Sequence, residues 1–223
     1  MSVRIKNGPN RSRGAKLREW TERSIAAIIL VVISPLLLVI AASVALTIGR
    51  PILFSQERAG RGGRPFKLVK FRTMHELRNL NGRLLPDSHR LTAFGRWLRR
   101  TSIDELPELV NIARGEMAFV GPRPLPMVYV DRYSEIERSR LDVLPGLTGW
   151  AQVNGRNAID WDDRLALDVW YVAHRSLLLD LKILLVTIRV VLLREGINAE
   201  DSATMNELRP PIDGVNRDGK VGD

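Results

Sequence analysis

Cysteine is absent from all 223 residues. That excludes disulfides, a thiolate nucleophile and every metal site built on sulfur. Histidine is scarce. His75, His89 and His174 are the only three, and their spacing matches no zinc site. The glycine-rich stretch Gly60-Arg61-Gly62-Gly63 is not followed by GKS or GKT, which excludes a P-loop. There is no internal repeat. Nothing resembles a nucleic-acid recognition motif, so no nucleic-acid partner is expected. The most informative gap is one of charge: Ser24 to Gly49 contains no Asp, Glu, Lys or Arg.

That run is long enough to matter. At about 1.5 Å per residue a helix over it reaches roughly 39 Å, against about 30 Å for a bilayer core. We therefore expect a membrane-embedded helix. Its flanks decide how it enters. Arg4, Lys6, Arg11, Arg13, Lys16, Arg18 and Arg23 precede it; Arg50, Arg58, Arg61, Arg64, Lys67 and Lys70 follow. Basic flanks favour the cytoplasmic side, and one crossing cannot put both there. A re-entrant helix that dips into one leaflet and returns can. Ser34-Pro35 lies near the middle, where proline removes a helical hydrogen bond and Ser34 can cap the freed carbonyl. An ordinary crossing with a proline kink and a cleaved signal sequence are the alternatives, the second disfavoured by the length of the run.

The net charge is +9 and the pI about 10.6. Beside a membrane segment, such a balance points to anionic lipid or phosphorylated substrates. The rest of the chain has room for one domain of α+β class, mostly helical. Pro51–Gln56 and Phe66–Arg72 read as a β-hairpin around the glycine-rich turn. That turn is either simple turn chemistry or a phosphate cradle. Helices are expected over 91–99, 127–141 and 161–174, with a short strand at Ala151–Val153. Residues 177–194 are apolar but carry Asp180, Lys182, Arg189 and Arg194, which favours a helix lying on the membrane or packed under the domain over one crossing the bilayer. From 205 to 223 the tail reads as disordered.

Asp104-Glu105 is the candidate reactive pair, with Arg99 and Arg100 before it and Arg123 after. The competing explanation is a capping box, Ser102-Ile103-Asp104-Glu105, in which the acids only stabilise a helix start. Pro107 counts against a helix begun at Ser102. A carboxylate can attack phosphorus covalently. Arginines and a hard divalent cation would neutralise the phosphates. This chain offers acids and arginines with no soft ligand, which suits Mg²⁺.

Long blocks of the chain resemble the bacterial sugar transferase family, the monotopic polyprenyl-phosphate phosphoglycosyl transferases: LVKFRTM (68–74), LRRTSIDELPEL (98–109), FVGPRPL (119–125), PGLTGWAQVNGRN (145–157), LDVWYV (167–172) and LDLKIL (179–184). The likeness runs from about Lys16 to Thr204 and matches the minimal catalytic type. It implies transfer of a sugar 1-phosphate from a UDP-sugar to undecaprenyl phosphate, with release of UMP, on the cytoplasmic face of a bacterial inner membrane. The resemblance makes Asp104 the nucleophile and Mg²⁺ ligand, with Glu105 its acid/base or acceptor-placing partner. Arg99 would hold phosphate, Pro122-Arg123-Pro124 would lie near the nucleotide, and Lys70 and Arg72 would belong to the phosphate site. Ser34 and Pro35 would mark the membrane break. The implied division is a basic segment over 1–23, the re-entrant helix over 24–49, a catalytic domain over 50–204 and the tail. Leu144 departs from the basic residue often found before the Pro-Gly turn. The similar branch includes members acting on N-acetylated amino-sugar nucleotides. A non-enzymatic basic module binding the membrane surface is the alternative function.

Overall fold

The computed structural model describes residues 13–154, 159–193 and Leu208. The expectations for residues 1–12, for Arg156, Asn157 and Arg194, and for most of the tail lie outside them.

The longest element is α1, Arg13–Thr47. The basic segment and the apolar run are thus one helix, with no break between them. Pro35 lies inside it. A proline at this position removes the hydrogen bond to the carbonyl four residues back. That carbonyl belongs to Val31, and Ser34 Oγ donates to it at 2.7 Å. The serine replaces the bond that the proline deletes.

The two halves of α1 dock on different parts of one domain. Before the proline, Ala26, Ile29, Leu30 and Ile33 pack with Phe66, Leu68, Leu109, Ile112 and Met117. After it, Leu37, Ile40, Ala41 and Val44 pack with Phe71, Phe94, Leu98 and Leu106. The other face is bare: Val31, Val32, Leu38 and Leu46 are each more than 70% exposed. An apolar face left this open is unlike a soluble protein's core helix, which is buried all round or amphipathic.

The hairpin forms as its β-branched and aromatic composition suggests. Strands β1 (Leu53–Ala59) and β2 (Pro65–Phe71) pair antiparallel, Leu53 opposite Phe71 and Ala59 opposite Pro65. Gly62 and Gly63 carry positive φ in the turn, which glycine adopts without steric cost. Arg61 is engaged with Glu19 at 2.7 Å, so the turn fastens the hairpin to α1. Then come the short α2 (Asp87–Arg90), α3 (Ala93–Arg100), α4 (Glu108–Arg114) and β3 (Ala118–Val120). The helix expected over 127–141 is three pieces instead: 3-10 turns at Met127–Arg132 and Ser139–Asp142 flank α5, Glu135–Arg138. Ser134 and Glu137 form a capping box there, so the chain starts a new helix in mid-stretch.

Strand β4 (Gly146–Thr148) pairs parallel with β3. The expected strand at 151–153 is instead helix α6, Trp150–Asn154; strand pairing falls on the residues just before it. Glycine makes that pairing possible. A Cβ on Gly146 would collide with the amide nitrogen of Gly121, and one on Gly149 with its carbonyl oxygen. Helices α7 (Trp161–His174) and α8 (Leu177–Leu193) complete the domain. Asp160 caps α7 by accepting from the Asp163 amide at 2.8 Å, hence its sharp start. In α8, Leu177, Leu178, Leu181, Leu185 and Ile188 are exposed while Ile183 is fully buried. Leu208 is buried with Leu125, Tyr133 and Leu165, so the disorder expected from residue 205 does not hold at this position.

Candidate active site

Asp104 and Glu105 lie on a 3-10 turn, Ile103–Glu105, between α3 and α4. The capping box is not formed. Ser102 is left-handed, with φ of 55°, and its side chain makes no cap bond. It is the only non-glycine residue with positive φ among the described residues. Such backbone strain concentrates at functional sites. Pro107 is the N-cap of α4, where its missing N–H costs nothing. The acids therefore belong to a strained connection and not to a helix start.

Asn111, fully buried on α4, holds this connection against the hairpin. Its Nδ2 donates to Lys67 O at 2.7 Å and its Oδ1 accepts from Val69 N at 3.2 Å. The side chain thus pairs with β2 as another strand would. Lys70 follows directly, with Nζ 2.6 Å from Glu105 Oε1 and 3.0 Å from Glu108 Oε1. Arg123 Nη2 reaches the same Glu105 oxygen at 2.6 Å. Arg99, in the last turn of α3, donates to Thr73 Oγ1 at 3.0 Å, and its charge acts on Asp104.

The two neighbouring acids end in opposite states. Burial works against the charge of Glu105, but Arg123 and Lys70 outweigh it and hold the carboxyl far below the usual carboxylate range. Asp104 is 8% exposed and, among the described residues, makes no hydrogen bond or ion pair. Burial first, then the charge on Glu105, push it up to about 6, with Lys70, Arg99 and Arg123 opposing. Glu108, 2% exposed, is pushed up to about 7 by burial and by Glu105. Asp104 is thus the carboxylate left without a partner, beside three cations.

The Pro122-Arg123-Pro124 segment is held by its backbone. Gly146 N donates to Pro122 O at 3.0 Å, Arg58 Nη1 to Pro124 O at 3.3 Å and Arg140 Nη2 to Arg123 O at 2.8 Å. Arg140 is fully enclosed. It pairs with Asp168 Oδ2 through Nη2 at 2.7 Å and Nε at 3.2 Å, and donates to Tyr133 OH at 2.9 Å. Of the residues expected at the site, Asp104, Glu105, Lys70, Arg99 and Arg123 converge, with Pro122 and Pro124 framing Arg123. Arg72 does not join them: its guanidinium donates to Arg50 O at 3.0 Å and to Glu76 at 3.3 Å. Sequence reasoning missed Glu108, Asn111, Arg140 and Asp168. The spacing Asp104, Glu105, Glu108 could have drawn attention to Glu108. The contacts by which the other three hold the site span 17 to 44 residues and leave no local signal.

This geometry stands in a chain whose residues 14–194 match the model for the bacterial sugar transferase family. Over 188 residues it is 49% identical to the uncharacterized sugar transferase EpsL of Bacillus subtilis, covering 84% of this chain and 93% of that one. It is 38% identical to the UDP-glucose:undecaprenyl-phosphate glucose-1-phosphate transferase of Escherichia coli, covering 74% of this chain and 38% of that one. It is 35% identical to the undecaprenyl-phosphate galactose phosphotransferase of Salmonella typhimurium, covering 88% and 44%. The chain thus spans nearly all of the Bacillus relative and less than half of the other two. A family match this extensive, together with the long blocks shared in order, means that the chain belongs to the bacterial sugar transferase family.

Proposed function

We propose that the protein is a polyprenyl-phosphate phosphoglycosyl transferase, moving a sugar 1-phosphate from a UDP-sugar to undecaprenyl phosphate with release of UMP. The observation that carries this reading is the unpartnered Asp104 carboxylate beside Lys70, Arg99 and Arg123. The names of the Escherichia and Salmonella relatives describe transfer to the same acceptor.

Asp104 is the nucleophile. One of its oxygens bonds to the β-phosphorus, and the bond from that phosphorus to the bridging oxygen breaks. UMP leaves with the electron pair, and the phosphosugar stays on Asp104. An oxygen of the acceptor phosphate then attacks the same phosphorus and Asp104 leaves as carboxylate. Lys70, Arg99 and Arg123 neutralise charge on the phosphates. Glu105, held ionised by two cations, anchors Lys70 and Arg123 in place of donating a proton.

Mg²⁺ fits this donor set as a cofactor. Asp104 is a hard oxygen ligand without a protein partner, and no group of three carboxylate or imidazole ligands exists among the described residues. Mg²⁺ is commonly held by one or two carboxylates with substrate phosphates and water completing the shell. When bound it supplies charge neutralisation at the diphosphate.

The membrane arrangement we propose is monotopic, with α1 re-entrant about Ser34-Pro35 and the domain on the cytoplasmic face. Both ends of α1 are fastened to the same domain. At the start, Arg18 pairs with Asp180, Arg23 donates to Ala113 O at 3.0 Å, and Glu22 accepts from Phe119 N at 3.3 Å. At the end, the His75 ring meets Ile48 O at 3.1 Å. A full crossing separates its ends by about 30 Å of hydrocarbon, which one domain on one side does not bridge. The exposed leucines of α8 suit a helix in the interface plane.

The test is UMP release from a panel of UDP-sugars, in the presence of Mg²⁺ and undecaprenyl phosphate. Release of UDP would refute the reaction. Asp104→Asn should abolish turnover; near-normal turnover by this variant would refute the nucleophile. A non-enzymatic membrane module would bind vesicles in a salt-dependent manner and release nothing from any of the panel.

A further inference from the structure

The excursion between β2 and α3 leaves and rejoins the domain at one place. Met74 and Leu91 face each other across an antiparallel bridge, and His75 N donates to Arg90 O at 2.9 Å. This root is tied to the point where the chain leaves α1. Arg72 N donates to Ile52 O at 2.9 Å, Arg72 Nη1 donates to Arg50 O, and the His75 ring contacts Ile48 O.

Beyond the root, residues 77–85 form an arch that holds its own shape. Arg78 pairs with Leu84 in a second bridge. Leu85 N donates to Leu77 O at 2.9 Å and Asn79 N to Arg83 O at 2.8 Å. Asn79 Oδ1 accepts from the amides of Asn81 and Arg83, both at 3.0 Å. Gly82 supplies the positive φ at the turn. The conformation is therefore set by local hydrogen bonds, and no packing is asked of the summit.

Yet the summit is apolar. Leu80 is completely exposed, and Leu77 and Leu84 are each more than 40% exposed. Single exposed leucines are ordinary. The root they rise from is tied to a stretch of chain that is itself flanked by exposed apolar residues: Leu46 in the last full turn of α1 is 87% exposed, and Leu53 and Phe54 at the start of β1 are nearly half exposed. Arg78 and Arg83 stand on either side of Leu80, with Arg50 and Arg72 at the root. Arg78 is partly neutralised by Glu76 at 2.7 Å; Arg83 is exposed. An apolar tip with basic shoulders, rooted at the end of the exposed apolar helix α1, matches an anionic lipid surface.

We propose that residues 77–85 are a further lipid-contacting element, with Leu80 entering the headgroup–acyl boundary of an anionic bilayer on the side of the last turn of α1. Arg78 and Arg83 then lie at phosphate level. The inference rests on α1 being embedded, as proposed above. The root of the arch adjoins Thr73, which accepts from Arg99, so that a lipid contact here would let the bilayer itself set the height of the reactive turn above the lipid phosphates.

The lack of cysteine makes the test clean. Leu80→Cys and Leu46→Cys are prepared separately in the full chain, labelled with an environment-sensitive fluorophore, and placed in nanodiscs containing anionic lipid. Lipids spin-labelled near the headgroup are then titrated in. At an insertion depth of about 5–10 Å, both probes should shift to the blue and lose emission about twofold. Quenching at Leu46 with a Leu80 probe that stays at its aqueous wavelength and is quenched by iodide would overturn the inference while leaving α1 embedded. Loss of quenching at both positions would overturn the membrane reading and the inference with it. A Leu80 shift that depends on protein concentration and ignores the spin-labelled lipid would assign the arch to a contact between copies, and would also overturn it.

Discussion

Replacing Arg140 by Met should do two separable things, and one further substitution should divide them. Arg140 is 3% exposed and Asp168 2%. Removing the guanidinium leaves the Asp168 carboxylate buried without its partner, which costs about 3–5 kcal/mol. Two further hydrogen bonds are lost, to Tyr133 OH and to Arg123 O, each contributing about 1 kcal/mol. The total is a large share of the roughly 5–15 kcal/mol that holds a typical domain folded, so the single variant should be severely destabilised. In the double variant Arg140→Met/Asp168→Leu neither member of this ion pair is left without the other. Apolar replacement of a buried ion pair is often neutral or stabilising, so thermal unfolding in nanodiscs should return close to the parent. The tether on Arg123 O does not return. With its backbone freed, Arg123 loses its fixed approach to Glu105 and to the substrate phosphates. A displacement of about 1 Å can cost on the order of 100-fold in rate. UMP release by the double variant should therefore stay at least about tenfold down, at parent-like stability. Parent-like stability with full activity would refute the positioning role. Low stability in the double variant would refute the ion-pair accounting.

Three further outcomes follow from the same geometry. The Asp104 carboxyl is pushed up to about 6, and as the proposed nucleophile it must be ionised to attack, so the rate of UMP release should fall as pH drops through about 6; a flat profile from pH 5 to 8 would count against the proposal. Glu108 titrates near 7 in the fold against 4.5 ordinarily, so the folded state binds the extra proton between those values and the parent loses stability as pH rises through that window. Glu108→Gln should remove this share of the loss, on the order of 3 kcal/mol, seen as a shallower decline in unfolding temperature from pH 5 to 8, with the part below about pH 6 that belongs to Asp104 remaining. Asn111→Ala should strand Lys67 O and Val69 N, costing about 1–3 kcal/mol for each unsatisfied group, and should speed hydrogen exchange at the Val69 amide.

Much of the fold was legible because its signals are local. An uncharged run such as Ser24–Gly49 must be a helix if it enters lipid, since only then are its backbone groups satisfied. The Ser34-Pro35 pair carries its own repair, and Ser34 makes that bond to Val31 O. The hairpin and α7 follow from alternation, turn residues and a capping aspartate. Where signals compete locally the sequence misleads. Residues 127–141 are rich in helix formers but are interrupted by a capping box at Ser134. Residues 151–153 look like a strand but form part of α6, because the strand pairing is made by Gly146–Thr148, upstream of them.

The site divides in the same way. Asp104, Glu105, Lys70, Arg99 and Arg123 were marked by their residue types and blocks. What separates two adjacent carboxyls into one that is ion-paired and one that is not lies outside those blocks. Charge interactions depend on distance and burial, and residues 35 and 18 positions away bring Lys70 and Arg123 onto Glu105 and not onto Asp104. The sequence by itself determined that an oily helix, a basic surface and an acidic pair belong to one chain. Only the tertiary structure decided which acid is free, what holds Arg123, and that both ends of the oily helix return to one domain, since these depend on contacts that no local pattern encodes.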